Sequence, residues 1–388
     1  MDINWSERLQ KLPPYLFAEI DKLKRKTREQ GHQVIDLGVG DPDLPTPEFI
    51  IDELYAQAKV QANQRYALDQ GIPQLRNEIQ RWLTERFNIE VDSVCEILPT
   101  IGSKEAIAHF PLAIINSGDL ALVPDPCYPP YKSGVLFANG RVEIMPLLNE
   151  NSFLPDFSKI SEDSLRRAKI MYLNYPNNPT SACAPKEFYE DAIKLAKKYN
   201  IIICSDLAYS EISFDGYRPV SILEVKGAKD VSIEFHSLSK TYNMTGWRIG
   251  FAYGNKELIK MLSKVKENID SGIFQAIQYA GLKALREGAS SIKKNLFIYE
   301  QRRDMLVQGL KSLGYEVEVP KATFYLWIAV PKGYTSAEFC MKLLREAHLV
   351  VTPGNGFGSS GEGYFRIALT IDSKQLPIVI ERLRKISL

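Results

Sequence analysis

Cysteine and histidine are both scarce in this chain. Its 388 residues hold five cysteines (Cys95, Cys127, Cys183, Cys204 and Cys340), an odd number with no C-x-x-C pair, which fits reduced thiols better than a disulfide framework. The four histidines (His32, His109, His236 and His348) are equally scattered, so no metal site is indicated by spacing. Net charge is nearly absent: 48 Lys and Arg against 47 Asp and Glu leave +1, with no basic run of the kind that tracks phosphates. Nucleic acid is therefore not an expected partner. No stretch of about 18 consecutive apolar residues occurs, and the opening "MDINWSERLQKLPPYLF" lacks an apolar signal core. A cytoplasmic protein without a membrane partner is expected. The phosphate-loop pattern G-x-x-x-x-G-K-[ST] is missing too, which argues against nucleotide hydrolysis.

The composition is otherwise that of an ordinary globular protein, with 45% hydrophobic and 24% charged residues, in a chain long enough for two domains. From about residue 50 to 285, short apolar runs alternate with longer periodic ones, the pattern of α/β units. The runs at 121–125, 142–147, 169–175, 201–206, 231–237 and 248–254 read as buried strands. "PKEFYEDAIKLAKKYN" (185–200) gathers Phe188, Ala192, Ile193, Leu195 and Ala196 near one helical face. Residues 254–269 and the run after Ser103 read as further helices. These predict a mostly parallel sheet flanked by helices. The last hundred residues change character: a helix over roughly 288–313 leads to "YEVEV" and "TFYLWIAV", then to a helix at 336–348 and the strand "GYFRIALT". The expected fold is α/β, with a large domain over 46–287 and a smaller α+β domain made from 1–45 and 288–388.

Open α/β sheets bind ligands beyond the carboxyl ends of their strands, and four segments fall there: "GSKEA" (102–106), "NYPNNPT" (174–180), "SDLAYSE" (205–211) and "SLSKTYNMTGWR" (237–248). Each has an ordinary explanation as well. Gly102, Ser103 and Lys104 suit a common helix start, or a phosphate cradle made of free amides and the positive end of the helix. Asn177, Asn178 and Pro179 suit a turn. Asp206 ends a run that should be buried, so its carboxylate needs a cation or several hydrogen bonds. A protonated pyridine nitrogen is one such cation. Tyr209 could then donate to a ring hydroxyl, Lys240 could bond an aldehyde, and Ser237, Ser239 and Arg248 could supply donors to a phosphate. Phosphate ester, pyridinium and aldehyde together are the handles of pyridoxal 5′-phosphate.

With these residues in place, the chain resembles the fold-type I pyridoxal-phosphate aminotransferases over nearly its whole length. Within them, "LPPYLFAEID", "IDLGVGDPDLPTP", "IGSKEAIAHFPLA", "NYPNNPTSA", "IEFHSLSKTYNMTGWRIGFA" and "TPGNGFG...GEGYFRIALT" look like the LL-diaminopimelate aminotransferases. The resemblance implies that Lys240 holds the cofactor covalently and shuttles the proton, that Asp206 pairs with the pyridine nitrogen, and that Asn178 and Tyr209 bond the ring hydroxyl. It further implies that Ser103, Lys104, Ser237, Ser239 and Arg248 hold the phosphate and that Tyr128 stacks on the ring. Tyr66 would reach the phosphate of a neighbouring subunit, making the active unit a homodimer. Arg366 would clamp the substrate α-carboxylate with the backbone around Gly40, and Tyr15 would lie near the substrate. Without the motifs, the three tyrosines would be assigned to packing and Arg366 to a salt bridge.

The implied reaction is ping-pong transamination between an amino donor, LL-diaminopimelate or glutamate, and a 2-oxo acid such as 2-oxoglutarate. Aminotransferases for aspartate, alanine or aromatic amino acids, a β-lyase or decarboxylase, and a non-enzymatic sensor are the competing readings. Three departures bear on the site: Ser181 where many aminotransferases have glycine, Leu207 where asparagine is common, and Ser271 where an asparagine often faces substrate.

Overall fold

The computed structural model describes residues 3–12, 17–67 and 70–386. Seven strands build its central sheet: β1 (Ile97–Thr100), β2 (Leu120–Asp125), β3 (Arg141–Pro146), β4 (Ala168–Asn174), β5 (Ile202–Asp206), β6 (Ser232–Ser237) and β7 (Gly250–Gly254). Their order is β1-β7-β6-β5-β4-β2-β3. β2 to β6 run parallel, and β7 is antiparallel to both of its neighbours. Every residue of β2 and β6 is buried; β2 reads as an apolar run, whereas β6 buries Ser232, Glu234, His236 and Ser237 as well. Six strands match the sequence expectation to within two residues. The seventh, β1, is a short edge strand carrying Pro99, a residue that argues against a strand in sequence but is tolerated at a sheet edge.

The helices that matter to the site are α1 (Glu48–Ala58), α2 (Ser103–Ile114), α3 (Lys186–Tyr199), α4 (Leu238–Thr241), α5 (Lys256–Lys266), α6 (Gln275–Glu287), α7 (Ala289–Ser312) and α8 (Ser336–Ala347). α3 buries Tyr189, Ala192, Ile193 and Ala196 and leaves Phe188 and Leu195 only half-buried. The expected face is thus rotated slightly toward Tyr189. The helix stops at Asn200, whose left-handed backbone (φ 57°) caps it. α5 starts on Asn255, whose side chain accepts from the amides of Glu257 and Leu258.

A second, antiparallel sheet joins β8 (Tyr325–Ala329), β9 (Thr352–Pro353) and β10 (Tyr364–Ala368) in the order β9-β10-β8. Ile35–Asp36 pairs in parallel with Leu349–Val350, tying the amino-terminal segment to this part of the chain. The expected element at 315–319 is not a strand: Tyr315 and Val317 are buried, but no ladder partner runs beside them. One hydrophobic cluster unites α7, α8, β8 and β10 and extends to Tyr209 and Phe214, so the segment after β5 packs on the second sheet. Among the described residues, no helix is long and apolar enough to cross a membrane.

Candidate active site

The parallel register sets Asn174 beside Asp206 at the ends of β4 and β5, next to the end of β6, where Ser237 leads into α4. A cavity of about 620 Å³ opens over these ends and is bounded on its far side by β8, β10 and the loop containing Gly40. Twelve of the fourteen residues singled out from sequence line it: Gly40, Ser103, Lys104, Tyr128, Asn178, Asp206, Tyr209, Ser237, Ser239, Lys240, Arg248 and Arg366.

One end of the cavity is built to receive an anion. α2 begins directly after Gly102, which takes φ +71°, and a Cβ there would lie 2.5 Å from Arg248 Nη2. Arg248, itself left-handed at φ 58°, gives Nη1 to the carbonyl of Thr245 at 2.8 Å, which aims its fork across the helix start. Gly250 on β7 permits the close approach behind it, since a Cβ there would meet the Ser103 amide nitrogen at 2.9 Å. Free amides at a helix start, two serines and a planar cation make a cradle for a phosphate-sized anion.

Asp206 forms the floor. It is buried, accepts from the Tyr131 hydroxyl at 2.8 Å and from the Ala208 amide at 3.2 Å, and has no ion pair among the described residues. Burial pushes its pKa up to about 6, against the pull of those donors and of Lys240. Such a carboxylate suits a cationic ring nitrogen delivered by a ligand. Asn174 fixes the strand end, giving its side-chain amide to the Asp206 carbonyl at 2.8 Å and accepting from the Asn178 amide at 2.9 Å.

Lys240, in the single turn of α4, extends Nζ to the carbonyl of Gly40 at 2.9 Å. Burial brings its pKa down to about 8; Asp41 and Asp206 oppose the shift, and Arg366 and Arg248 add to it. An amine this close to neutrality can take up and return a proton. His236, whose ring meets the Leu207 carbonyl and the Thr241 hydroxyl, stays uncharged, its pKa driven down to about 4 by burial.

Arg366 faces the cavity from β10. Its Nη1 donates to the Asn178 side-chain oxygen at 2.7 Å and its Nη2 to the Gly38 carbonyl at 2.8 Å. The guanidinium lies 4.1 Å from the ring centre of Tyr325 and 4.6 Å from that of Phe357. Its buried Nε has no partner among the described residues, and burial lowers its pKa. A flat cation held between two rings is positioned for a carboxylate.

Two predicted residues are not in this group. Tyr66 is 87% exposed and does not line the cavity of its own chain. Tyr15 lies outside the described residues. Of the departures, Leu207 is fully buried in core, and Ser271 is exposed and away from the cavity. Ser181 takes the left-handed conformation (φ 62°) and secures it with its hydroxyl, bonded to Thr323 Oγ1 and to the Tyr325 carbonyl, each at 2.8 Å. Sequence reasoning missed Tyr131, Asn174 and Tyr325. The second tyrosine of "DPCYPPY", three residues after Tyr128 at the start of a helix, was the available signal for Tyr131; Tyr325 gave none beyond an apolar strand.

The family model described as "Aminotransferase class I and II" matches residues 32–383. Among curated relatives, an LL-diaminopimelate aminotransferase of Maridesulfovibrio salexigens is 53% identical over 382 residues, 98% of each chain. Another of that name from Aquifex aeolicus is 52% identical over 384 residues, 99% of each. Among solved structures, substrate-bound BacF from Bacillus subtilis superposes with a TM-score of 0.95 at 37% identity, covering 99% of this chain and 98% of that one. A Thermus thermophilus aspartate aminotransferase double mutant gives a TM-score of 0.92 at 29% identity, covering 99% and 100%.

Proposed function

This chain belongs to the class I and II aminotransferases, and we propose that it interconverts LL-2,6-diaminopimelate plus 2-oxoglutarate with tetrahydrodipicolinate plus glutamate, using pyridoxal 5′-phosphate. One observation carries the chemistry: a single cavity presents a buried amine, a buried carboxylate with no ion pair among the described residues, and an anion cradle. The substrate assignment draws on relatives of that name at 49–53% identity over nearly the full chain.

Bound pyridoxal 5′-phosphate supplies a carbonyl for the migrating amino group and a ring that draws off the electrons of the α-carbon. The positions of this chain's residues support the following roles. The helix start at Ser103, with Lys104, Ser237, Ser239 and Arg248, binds the phosphate. Asp206 holds a proton on the ring nitrogen, and Tyr131 and Ala208 hold Asp206. Tyr209 and Asn178 donate to the ring oxygen, and Tyr128 covers the ring. Lys240 would hold the cofactor's carbonyl carbon, and its free Nζ would take up the substrate α-proton and give it back at the far side of the transferred nitrogen. Arg366 and the backbone near Gly40 orient the α-carboxylate; the family resemblance adds Tyr15 near the substrate.

The same reading divides the chain into a cofactor domain over 46–287 and a smaller one from 1–45 and 288–388. It makes the active unit a homodimer in which Tyr66 reaches the neighbour's phosphate site. A cytoplasmic setting fits the five free thiols.

The test is a half-reaction followed by visible absorbance. Protein loaded with pyridoxal 5′-phosphate is mixed separately with LL-diaminopimelate, glutamate, aspartate and alanine. Conversion to the pyridoxamine form by the first two alone supports the assignment. Conversion by aspartate or alanine but not LL-diaminopimelate replaces the substrate, and pyruvate release without an oxo-acid acceptor replaces the reaction class.

A further inference from the structure

The hydroxyl oxygens of Tyr209 and Tyr325 lie 2.9 Å apart in a buried setting, both residues line the cavity, and either oxygen could be the donor. Two hydroxyls joined by one bond place one proton on it and leave the other for a third group. Tyr325 is held firmly. A Cβ on Gly40 would sit 2.0 Å from its hydroxyl oxygen, and Arg366 lies over its ring. Among the described residues its hydroxyl has no other hydrogen-bond partner. The charged groups facing the pair are Arg366, Asp206 and Asp41.

We propose that Tyr325 is a positioning residue for transamination: its hydroxyl donates to Tyr209 Oη and so commits the Tyr209 proton to the ring oxygen of the cofactor. This rests on the reading of Tyr209 given above. A hydroxyl that accepts a hydrogen bond becomes a better donor, by about 10–30% per link in a chain. Tyr325 therefore acts on the cofactor without touching the reacting atoms. Because Arg366 packs on the same ring, Tyr325 also ties the carboxylate clamp to the donor at the ring oxygen.

The experiment titrates the visible absorbance of the loaded protein against pH, reading the midpoint at which the Lys240 nitrogen loses its proton. A donor at the ring oxygen withdraws negative charge from it and makes that nitrogen less basic, so weakening the donor raises the midpoint. Tyr209→Phe should raise it most. Tyr325→Phe, which keeps the ring under Arg366, should raise it by about a tenth to a third as much. In the double variant the Tyr325 change should add nothing. KM for the oxo acid should stay unchanged in Tyr325→Phe while kcat falls. An unmoved midpoint in Tyr325→Phe, or the same increment in the Tyr209→Phe background, overturns the proposal. A wild-type protein with no Lys240-dependent visible band overturns the cofactor reading itself, an outcome distinct from either.

Discussion

A carboxylate that ends a buried strand, as Asp206 does, has among the described residues the Tyr131 hydroxyl and the Ala208 amide in place of water. With its pKa up at about 6, the folded protein retains a proton that the unfolded chain releases at lower pH. Stability of the cofactor-free protein therefore falls as pH rises from the ordinary aspartate range through 6 and stays lower above it. Asp206→Asn should stabilise the cofactor-free protein by about 3 kcal/mol at pH 8 and by less than about 1 kcal/mol at pH 4, read by thermal melts, while transamination collapses. Lys240 has the opposite sign. Its pKa near 8 is below that of the unfolded chain, so its cost is present at neutral pH and is relieved as pH rises from 8 toward the ordinary lysine range. Lys240→Ala should melt higher at pH 7 yet lose turnover by about a thousandfold or more, with phosphate-site binding of the cofactor retained. Both groups illustrate fold stability given up for reactivity.

At the scale of elements, two positive-φ turns support the site, the first in the anion cradle and the second behind β8. Gly102→Ala would force a methyl against the Arg248 fork at a positive φ. The strain, about 1–3 kcal/mol, should weaken cofactor binding roughly 5- to 150-fold, measured by fluorescence titration. At Ser181 the strain of a left-handed serine is offset by two hydrogen bonds to the segment that carries Tyr325. Ser181→Ala keeps the strain and loses both bonds, so denaturant melts should show a loss of about 1–2 kcal/mol, with Ser181→Gly milder. These turns were legible in sequence because glycine, hydroxyls and arginine crowd at the ends of apolar runs, and the runs themselves gave six of seven central strands. β1 was hidden by Pro99. Tyr131 and Tyr325 were hidden for a different reason: a tyrosine among apolar residues reads as packing, and what gives each a role is a contact with a residue 75 or 116 positions away. Tyr66 and Arg366 became legible only through resemblance, since neither a loop tyrosine nor a strand arginine carries a chemical signature alone.

At the scale of the molecule, α1 packs against α6, and Ile51, Tyr55 and Phe274 on or beside these helices are exposed, as are Val60 and Tyr66. Sedimentation should give about twice the 43.9 kDa of the chain, and Tyr66→Phe should leave that mass unchanged while loosening the cofactor. A fully active monomer would end the shared-site reading. The loop that presents Gly40 is secured from far along the chain. Arg302 pairs with Asp43 through both nitrogens of its fork, at 2.7 and 2.8 Å. Thr352 and Arg366 both donate to the Gly38 carbonyl, Thr370 donates to that of Val39, and the Ala368 amide donates to that of Leu37. Protein synthesis thus delivers the first wall of the cavity early and its fastenings last. A chain ending before Arg366 would lack the bonds from residues 366–370 that hold the 37–39 segment, so the wall at Gly40 closes only when the far end of the polypeptide is in place.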